Sequence, residues 1–185
     1  MTEKTAARKF IDDNELNIAD SNLLVMALTH PSYAQEKNFE HNNQRLEFLG
    51  DAVLSFVVAE YLYNHYQDKA EGELTKIRAR VVCEKSLLNV ARKINLGNYV
   101  LLGKGEEMSG GRKRRSILAD TVEAVIGAIY LDQGYEKAKE FILKHLEGNI
   151  IEGASGDYYD YKSRLQELVQ GKNKENVHYA IIEES

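Results

Sequence analysis

Residues 46–54 read LEFLGDAVL, a run in which Glu47 and Asp51 are set among apolar side chains. At about 100° per residue, side chains four apart lie on the same face of a helix. Apolar residues recur at three- and four-residue spacing from Leu46 to Tyr61, and several faces of the segment are apolar. The pattern predicts a long central helix over 43–65 that carries both acids on one face.

A second stretch has the same character. Residues 117–129 read ILADTVEAVIGAI, with Asp120 and Glu123 three residues apart. Ser116 is a favourable N-cap residue just before it, and 132–134 contain the turn residues that end such a helix. The sequence therefore predicts a second apolar helix that carries its own acid pair.

The two acid pairs need compensation, because ionised carboxylates in apolar surroundings are costly. One form of compensation is a divalent metal ion bound by oxygens of both pairs, which points to metal-assisted phosphate chemistry. The other is a set of buried ion pairs with Arg45, Arg78 or Arg80. Neither apolar run contains a lysine or arginine. This favours the metal, although spacing alone does not bring the two helices together.

Composition describes a globular chain of 185 residues, 43% hydrophobic and 29% charged, with room for one domain and a fragment of a second. The one proline, Pro31, permits long helices. The one cysteine, Cys83, excludes an internal disulfide and is expected to be a packed thiol. No signal-peptide or membrane-spanning pattern is visible, so we expect a cytoplasmic protein without a membrane partner.

Turn residues mark the start of the chain's helical part. Asp20 or Ser21 is expected to cap a helix that ends before the single proline. His30 and Ser32 suggest nucleophilic catalysis, but the sequence places no acid that would orient them. We interpret them as turn and cap residues.

Glycines suggest the remaining boundaries. The Glu71-Gly72 pair is expected to interrupt the helical pattern after residue 65, and residues 73–95 fit one helix or two. A further helix is expected over 135–147, with Gly148 as its C-terminal stop.

The net charge of −5 argues against nucleic-acid binding by the whole surface. Contact with RNA or DNA would need local basic patches, and two are visible. One consists of Lys76, Arg78 and Arg80; the other is the run Arg112, Lys113, Arg114 and Arg115. The run lies just before the second acidic helix, which favours phosphate steering. A solvated loop or a nuclear localisation signal remains the alternative.

Four stretches resemble, in order, the motifs of the ribonuclease III family. They read ALTHPSY at 27–33, NQRLEFLGDAVL at 43–54, EGELTKIRA at 71–79 and SILADTVEA at 116–124. The resemblance extends over residues 20–135. It implies an all-α endonuclease domain that acts as a homodimer and cleaves double-stranded RNA to 5′-phosphate and 3′-hydroxyl ends with short 3′ overhangs, in rRNA and mRNA processing.

The resemblance also implies roles for individual residues. The metal ligands would be Glu47, Asp51, Asp120 and Glu123, with Mg²⁺ as the cofactor and Mn²⁺ as a possible substitute. Asp51 and Glu123 are the expected catalytic residues of this set. Water activated by the metal would attack the scissile phosphorus in line.

Three further positions take secondary roles by the same resemblance. Gln44 stands where the family often has glutamate, so it is not counted as a metal ligand and is kept as a secondary RNA contact. Glu71 matches another acidic position near the cleavage site. Phe48 resembles the family aromatic that inserts into the partner subunit.

The end of the chain resembles the start of an α/β double-stranded RNA-binding domain, since residues 160–167 read DYKSRLQE. Gln166 and Glu167 match that domain's RNA-contact positions. We therefore expect an endonuclease domain over 1–150, a linker over 151–159, and an incomplete RNA-binding domain over 160–185.

Two other functions remain open from the sequence. An all-α nucleoside-triphosphate pyrophosphohydrolase also arranges acidic helices around Mg²⁺. A non-catalytic RNA-binding member of the same fold would have lost metal-binding acids, whereas all four are present in this chain.

Overall fold

A computed structural model of the chain describes residues 2–155, and over this range the fold is all-α, as predicted. The helices are α1 (Glu3–Asp13), α2 (Ser21–Leu28), α3 (Pro31–Lys37), α4 (Gln44–His65), α5 (Glu71–Val81), α6 (Glu84–Lys93), α7 (Lys104–Met108), α8 (Arg115–Gln133) and α9 (Tyr135–Ala154). Short 3₁₀ turns cover Leu96–Asn98 and Gly111–Lys113. The expected RNA-binding segment, with Gln166 and Glu167, lies outside the described residues.

Helices α4 and α8 form the centre of the fold, because both are apolar on most faces. Eleven residues of α8 are buried. Helices α2, α4, α6 and α9 all pack against α8, so its apolar faces have partners on several sides. Helix α5 packs against α4 and α9, and α1 packs on α2. The two acidic runs predicted from the sequence are thus the two central helices.

The approach of α4 to α8 depends on two glycines. A Cβ atom at Gly50 would lie 1.8 Å from the carbonyl oxygen of Glu123, and one at Gly127 would lie 2.3 Å from the carbonyl oxygen of Leu46. Real Cβ atoms do not come so close to backbone, so only glycine permits this crossing. Each glycine therefore meets the other helix at or next to an acidic residue, Gly50 at Glu123 and Gly127 beside Glu47.

Several helix ends match the sequence predictions. The carboxylate of Asp20 caps α2 by accepting from the backbone N–H of Asn22. Helix α4 begins at Gln44 and ends at His65, close to the predicted 43–65. Residues 73–95 divide into two helices, because α5 ends at Val81 and α6 begins at Glu84.

Other boundaries were wrong. Residues 71 and 72 begin α5 instead of breaking the chain, since the interruption is at 66–70. Ser116 is not the cap of α8: extended Arg114 takes that position after a 3₁₀ turn. Gly148 does not end α9, which continues to Ala154 and so includes the first part of the expected linker. A glycine costs a helix about 1 kcal/mol, and burial of Ile150 and Ala154 beyond it compensates.

Two expectations about single features can also be compared with the structure. Cys83 is exposed rather than packed, because it stands at the N-cap of α6 on the surface. Between residues 2 and 155, no helix combines the length and the apolar character needed to cross a bilayer.

Candidate metal centre

Three of the four predicted acids converge in space. One carboxylate oxygen from each of Glu47, Asp120 and Glu123 lies within 4.8 Å of the other two. All three side chains are half-buried. Opposite ligands of a single divalent ion are separated by about 4–5 Å, or twice the metal–oxygen distance. The spacing and the hard oxygen donors therefore fit one Mg²⁺- or Mn²⁺-sized cation.

The convergence follows from the helix crossing. Glu47 precedes Gly50 by three residues on α4, and Glu123 precedes Gly127 by four on α8. Each acid therefore stands about one helical turn from the glycine of its own helix. Because the glycines bring the two backbones together, acids from distant parts of the sequence share one small volume.

The electrostatics of the cluster oppose full ionisation. Burial, followed by the charges of Asp51, Asp120 and Glu47, raises the pKa of Glu123 from 4.5 to about 8. Burial and the charges of Asp120 and Asp51 also raise the pKa of Glu47. The pKa of Asp120 is raised by burial and by the nearby charge of Glu84. A bound cation would reverse these effects, since an adjacent positive charge favours the ionised form.

The alternative of buried ion pairs finds no support in the described part of the chain. The ion pairs between residues 2 and 155 all use other acids. Arg45 is exposed at the start of α4. Arg78 lies on α5 and lines a cleft between that helix and the C-terminal part of α4. The three acids thus meet one another without a guanidinium between them.

Asp51 takes a different place from the other three acids. It is exposed, and it is not part of the set of mutually close oxygens. Its charge still acts on Glu123 and Glu47, as their raised pKa values show. Asp51 therefore lies at the rim of the cluster, on its solvent side.

The secondary positions are separate from the three acids. The side chain of Gln44 is exposed and lines a groove with Phe48. Glu71 accepts a hydrogen bond from the hydroxyl of Thr75 at 2.9 Å and faces a cleft with Phe56 and Tyr63. Within one chain, Glu71 does not belong to the set of close oxygens.

Phe48 is the most unusual apolar side chain of α4, because 82% of its surface is exposed. It stands beside a groove whose apolar walls come from α2, α4 and α8, namely Leu23, Met26, Leu46, Leu49 and Leu131. An exposed aromatic next to an apolar groove is typical of a protein–protein interface.

The basic run has internal partners that the sequence did not reveal. Arg112 forms a bidentate pair with Glu107, with both N···O distances 2.6 Å, and donates to the carbonyls of Gly97 and Val100 at 2.9 Å. Its guanidinium therefore ties the segment before α8 to the 3₁₀ turn at 96–98. This is a structural role, and it leaves the RNA contact of Arg112 a prediction.

The other three members of the run differ from Arg112. Arg114 pairs with Glu106 at 2.5 Å, and Arg115 pairs with Glu84 at 3.0 Å. Lys113 is exposed and makes no ion pair within residues 2–155. Of the four, Lys113 is the cation best placed to meet a phosphate without first leaving a carboxylate.

Sequence reasoning missed two groups near the acids. Gly50 and Gly127 were visible as glycines inside apolar helices, a signal of close backbone approach that had not been used. Glu84 had no signal, because only the fold brings the start of α6 near Asp120.

Comparison with known proteins agrees with the motifs. A family model described as Ribonuclease-III-like matches residues 20–150. A Ribonuclease 3 of Syntrophomonas wolfei is 71% identical over 183 residues, which cover 99% of this chain and 78% of the relative. A Ribonuclease 3 of Bacillus cereus is 49% identical, over 98% of this chain and 75% of its own length.

Solved structures resemble the fold as well. The nuclease domain of the ribonuclease III of Campylobacter jejuni, a structure described by flexibility in a region involved in dimer formation, superposes with a TM-score of 0.71. It is 46% identical in sequence, and the match covers 76% of this chain and 96% of that domain.

Proposed function

The chain belongs to the ribonuclease III family and is a double-strand-specific endoribonuclease, and on that premise we propose that Glu47, Asp120 and Glu123 hold its catalytic Mg²⁺. Asp51, at the rim of the cluster, completes the proposed set on the solvent side. Mn²⁺ fits the same oxygens. Asp51 and Glu123 remain the proposed catalytic residues among the four.

The observation that carries this proposal is the meeting of three carboxylate oxygens within 4.8 Å, with no cationic partner among the described residues. Like charges held this close are unfavourable in the free protein. The fold accepts that cost at one place, the glycine crossing of α4 and α8. A bound cation would offset this repulsion between the carboxylates, which is why the arrangement favours cation binding.

The residues divide the work of hydrolysis. Glu47, Asp120 and Glu123 would fix a cation relative to both central helices. Asp51 faces solvent, where it meets water and the RNA backbone. When bound, the metal lowers the pKa of a coordinated water and neutralises charge on the phosphate and the leaving 3′ oxygen. The products are 5′-phosphate and 3′-hydroxyl ends with short 3′ overhangs.

Substrate recognition follows from the shape of A-form RNA, through phosphates and 2′-hydroxyls rather than base edges. Lys113 is the leading phosphate contact in the described chain, followed by Arg114 and Arg115. Gln44 and Glu71 are proposed as secondary contacts near the cleaved strand. Because phosphate contacts release counterions, binding weakens as salt rises.

We propose that the enzyme acts as a homodimer. The 82% exposed Phe48 and the apolar groove beside it form a self-complementary pair, as a two-fold interface requires. Two active sites then face the two RNA strands. Sedimentation should give the dimer mass for the wild type and the monomer mass for Phe48→Glu, while Met108→Glu, at an exposed position on α7 that does not line the groove, should remain dimeric; a monomeric wild type would contradict the proposal.

The cellular setting is proposed from the same activity. Structured precursors of rRNA and mRNA are the substrates that a duplex-specific endonuclease of this family would process, in the cytoplasm where they are made. The family membership also decides against the pyrophosphohydrolase alternative.

The direct test uses long duplex RNA, with Mg²⁺ and then with excess chelator. We expect cleavage with Mg²⁺, none with chelator, and recovery with added Mg²⁺. Single-stranded RNA and free nucleoside triphosphates serve as substrate controls. Cleavage that persists in chelator, or hydrolysis of nucleotides but not duplex RNA, would overturn the proposed function.

A further inference from the structure

Helix α7 has no buried residue, so polar contacts carry much of its attachment to the fold. At its start, the N–H of Gly103 donates to the hydroxyl oxygen of Ser32 at 3.0 Å. The N–H of Lys104 donates to the carboxylate of Glu36 at 2.7 Å. The two acids of α7 each pair with an arginine of the basic run. The helix therefore places two carboxylates directly on the proposed RNA contacts.

Arg112 is held by more than its carboxylate partner. Beside its pair with Glu107, the guanidinium donates to the carbonyls of Gly97 and Val100, both at 2.9 Å. These carbonyls lie in and just after the 3₁₀ turn at 96–98, outside α7. If Glu107 were removed, the two carbonyls would still hold the guanidinium in its present place.

Arg114 depends on α7 and its C-cap for its side-chain contacts. Its Nη1 lies 2.5 Å from a carboxylate oxygen of Glu106, and its Nη2 donates to the hydroxyl oxygen of Ser109 at 3.0 Å. Ser109 is the C-cap residue of α7. The side chain of Arg114 is 45% exposed. Its guanidinium can therefore turn to an anion in solvent without breaking a contact to the core.

Glu106 is more enclosed than the other two acids that pair with the basic run. Its side chain is 18% exposed, against 42% for Glu107 and 48% for Glu84. It lies against Gly111, where a Cβ atom would come 2.8 Å from the Cγ atom of Glu106. Because solvent screens a partly enclosed charge less than an exposed one, the carboxylate of Glu106 acts strongly on Arg114.

A phosphate and a carboxylate are alternative ligands of one guanidinium, since both offer oxygens in a geometry that matches its N–H donors. We propose that Glu106 is an internal competitor of the RNA backbone: its carboxylate occupies Arg114, and a phosphate binds there by displacing it. This inference rests on the proposed function, in which the basic run contacts RNA. The displacement weakens RNA binding by the free energy of the Glu106–Arg114 pair.

The competition also changes the response to salt. A phosphate that meets a cationic side chain releases a counterion, and this release makes binding weaken as salt rises. When the phosphate displaces Glu106, the freed carboxylate attracts a cation from solution and offsets part of that release. The wild type should therefore respond to salt less steeply than a variant in which Arg114 has no carboxylate partner.

The test compares two substitutions that remove the same charge from adjacent positions of α7. Glu106→Gln frees Arg114 and keeps the size of the side chain. Glu107→Gln is the matched control, because Arg112 stays bound to two backbone carbonyls. Binding of duplex RNA is measured in chelator at several salt concentrations, and single-turnover cleavage is measured with Mg²⁺.

For Glu106→Gln we expect about threefold tighter binding, with a slope of log affinity against log salt that is steeper by up to one phosphate contact. The RNA concentration for half-maximal cleavage should fall in proportion. The maximal rate should stay at the wild-type value, because Glu106 is not among the acids of the metal centre. For Glu107→Gln we expect an affinity within about 1.5-fold of the wild type.

Arg114→Ala supplies the second arm of the test. Alone, it should weaken RNA binding. In its background, Glu106→Gln should have no further effect, because no guanidinium is left to compete for. All variants should melt within a few degrees of the wild type, since α7 has no buried residue.

Three results would overturn the inference: wild-type affinity in Glu106→Gln, equal gains in Glu106→Gln and Glu107→Gln, or a gain that persists in the Arg114→Ala background. If Arg114→Ala weakens binding but Glu106→Gln does not strengthen it, the RNA contact stands and the competition is wrong. If Arg114→Ala binds like the wild type, the contact and the competition both fail. A wild type that neither binds nor cleaves duplex RNA would instead refute the proposed function.

Discussion

The acidic cluster and the basic run are neighbours in the fold, yet their charges are treated in opposite ways. In the cluster of Glu47, Asp120 and Glu123, like charges meet without a cationic partner among the described residues. In the basic run, Arg112 and Arg114 are each matched by a carboxylate within 2.6 Å. The acidic cluster lacks a countercharge among the described residues, whereas Arg112 and Arg114 of the basic run already have one.

The contrast shows where a ligand is needed. An ion pair on the surface contributes little and calls for no further partner. A group of half-buried carboxylates raises its own free energy until a cation or protons arrive. The sequence shows the four acids and the four basic residues, but it does not show which of these charges are paired in the fold.

The largest expected effect comes from removing one charge of the cluster. Glu123→Gln should lower the cleavage rate at least about 100-fold, because several kcal/mol of transition-state stabilisation depend on the metal. Folding and RNA binding should be retained. Glu136→Gln, an exposed acid on α9, is the control and should cleave normally. The rates come from single-turnover cleavage of duplex RNA; near-normal cleavage by Glu123→Gln would refute its role.

The second prediction tests the close packing of α4 against α8, which brings the acids together. Gly50→Ala places a Cβ atom 1.8 Å from the carbonyl of Glu123, which forces α4 and α8 apart. We expect a loss of about 1–3 kcal/mol in the free energy of unfolding, together with weaker metal binding. Gly148→Ala on α9 meets nothing within 4 Å and should stabilise by about 0.5–1 kcal/mol. Denaturant unfolding of both variants measures the difference, and equal effects would count against the close crossing.

The third prediction concerns pH in the absence of metal. The folded-state pKa of Glu123, about 8, lies above its ordinary 4.5, so the folded protein binds a proton more tightly than the unfolded chain. The stability from this proton is fully present below about pH 4.5 and is lost as the pH rises through 8. The melting temperature in chelator should therefore fall by a few degrees between pH 5 and pH 9. Glu123→Gln should flatten that part of the curve; an unchanged slope would contradict the electrostatic account.

The smallest effect tests the basic run. Lys113→Ala should reduce the slope of log affinity against log salt by about one phosphate contact. Arg112→Ala should leave that slope unchanged and lower the melting temperature instead, because Arg112 holds the carbonyls of Gly97 and Val100. RNA binding at several salt concentrations measures both variants. A slope change for Arg112→Ala alone would reverse the assignment.

Much of the centre could be predicted from the sequence, because helical spacing is local. The runs around Glu47 and Glu123 predicted α4, α8 and the face of each acid pair. The convergence of the pairs depends on tertiary contact, and its one sequence signal was Gly50 and Gly127 within apolar helices. That Asp51 lies at the rim could not be read from spacing, since it shares a face with Glu47.

The errors have a common physical origin. Helix ends at Ser116 and Gly148 were assigned from residue preference, and packing of the neighbouring apolar side chains determined the actual ends. The partners of the basic run were hidden because Glu106 and Glu107 lie on α7, a helix of only five residues without a clear periodic pattern.

The central claim is that α4 and α8 together hold one divalent cation. Crystals soaked in Mn²⁺ and measured at an anomalous wavelength locate that ion directly. The account predicts a peak at coordinating distance from oxygens of Glu47, Asp120 and Glu123, and its disappearance in Glu123→Gln. A peak bound only elsewhere, or none at the crossing, would contradict it.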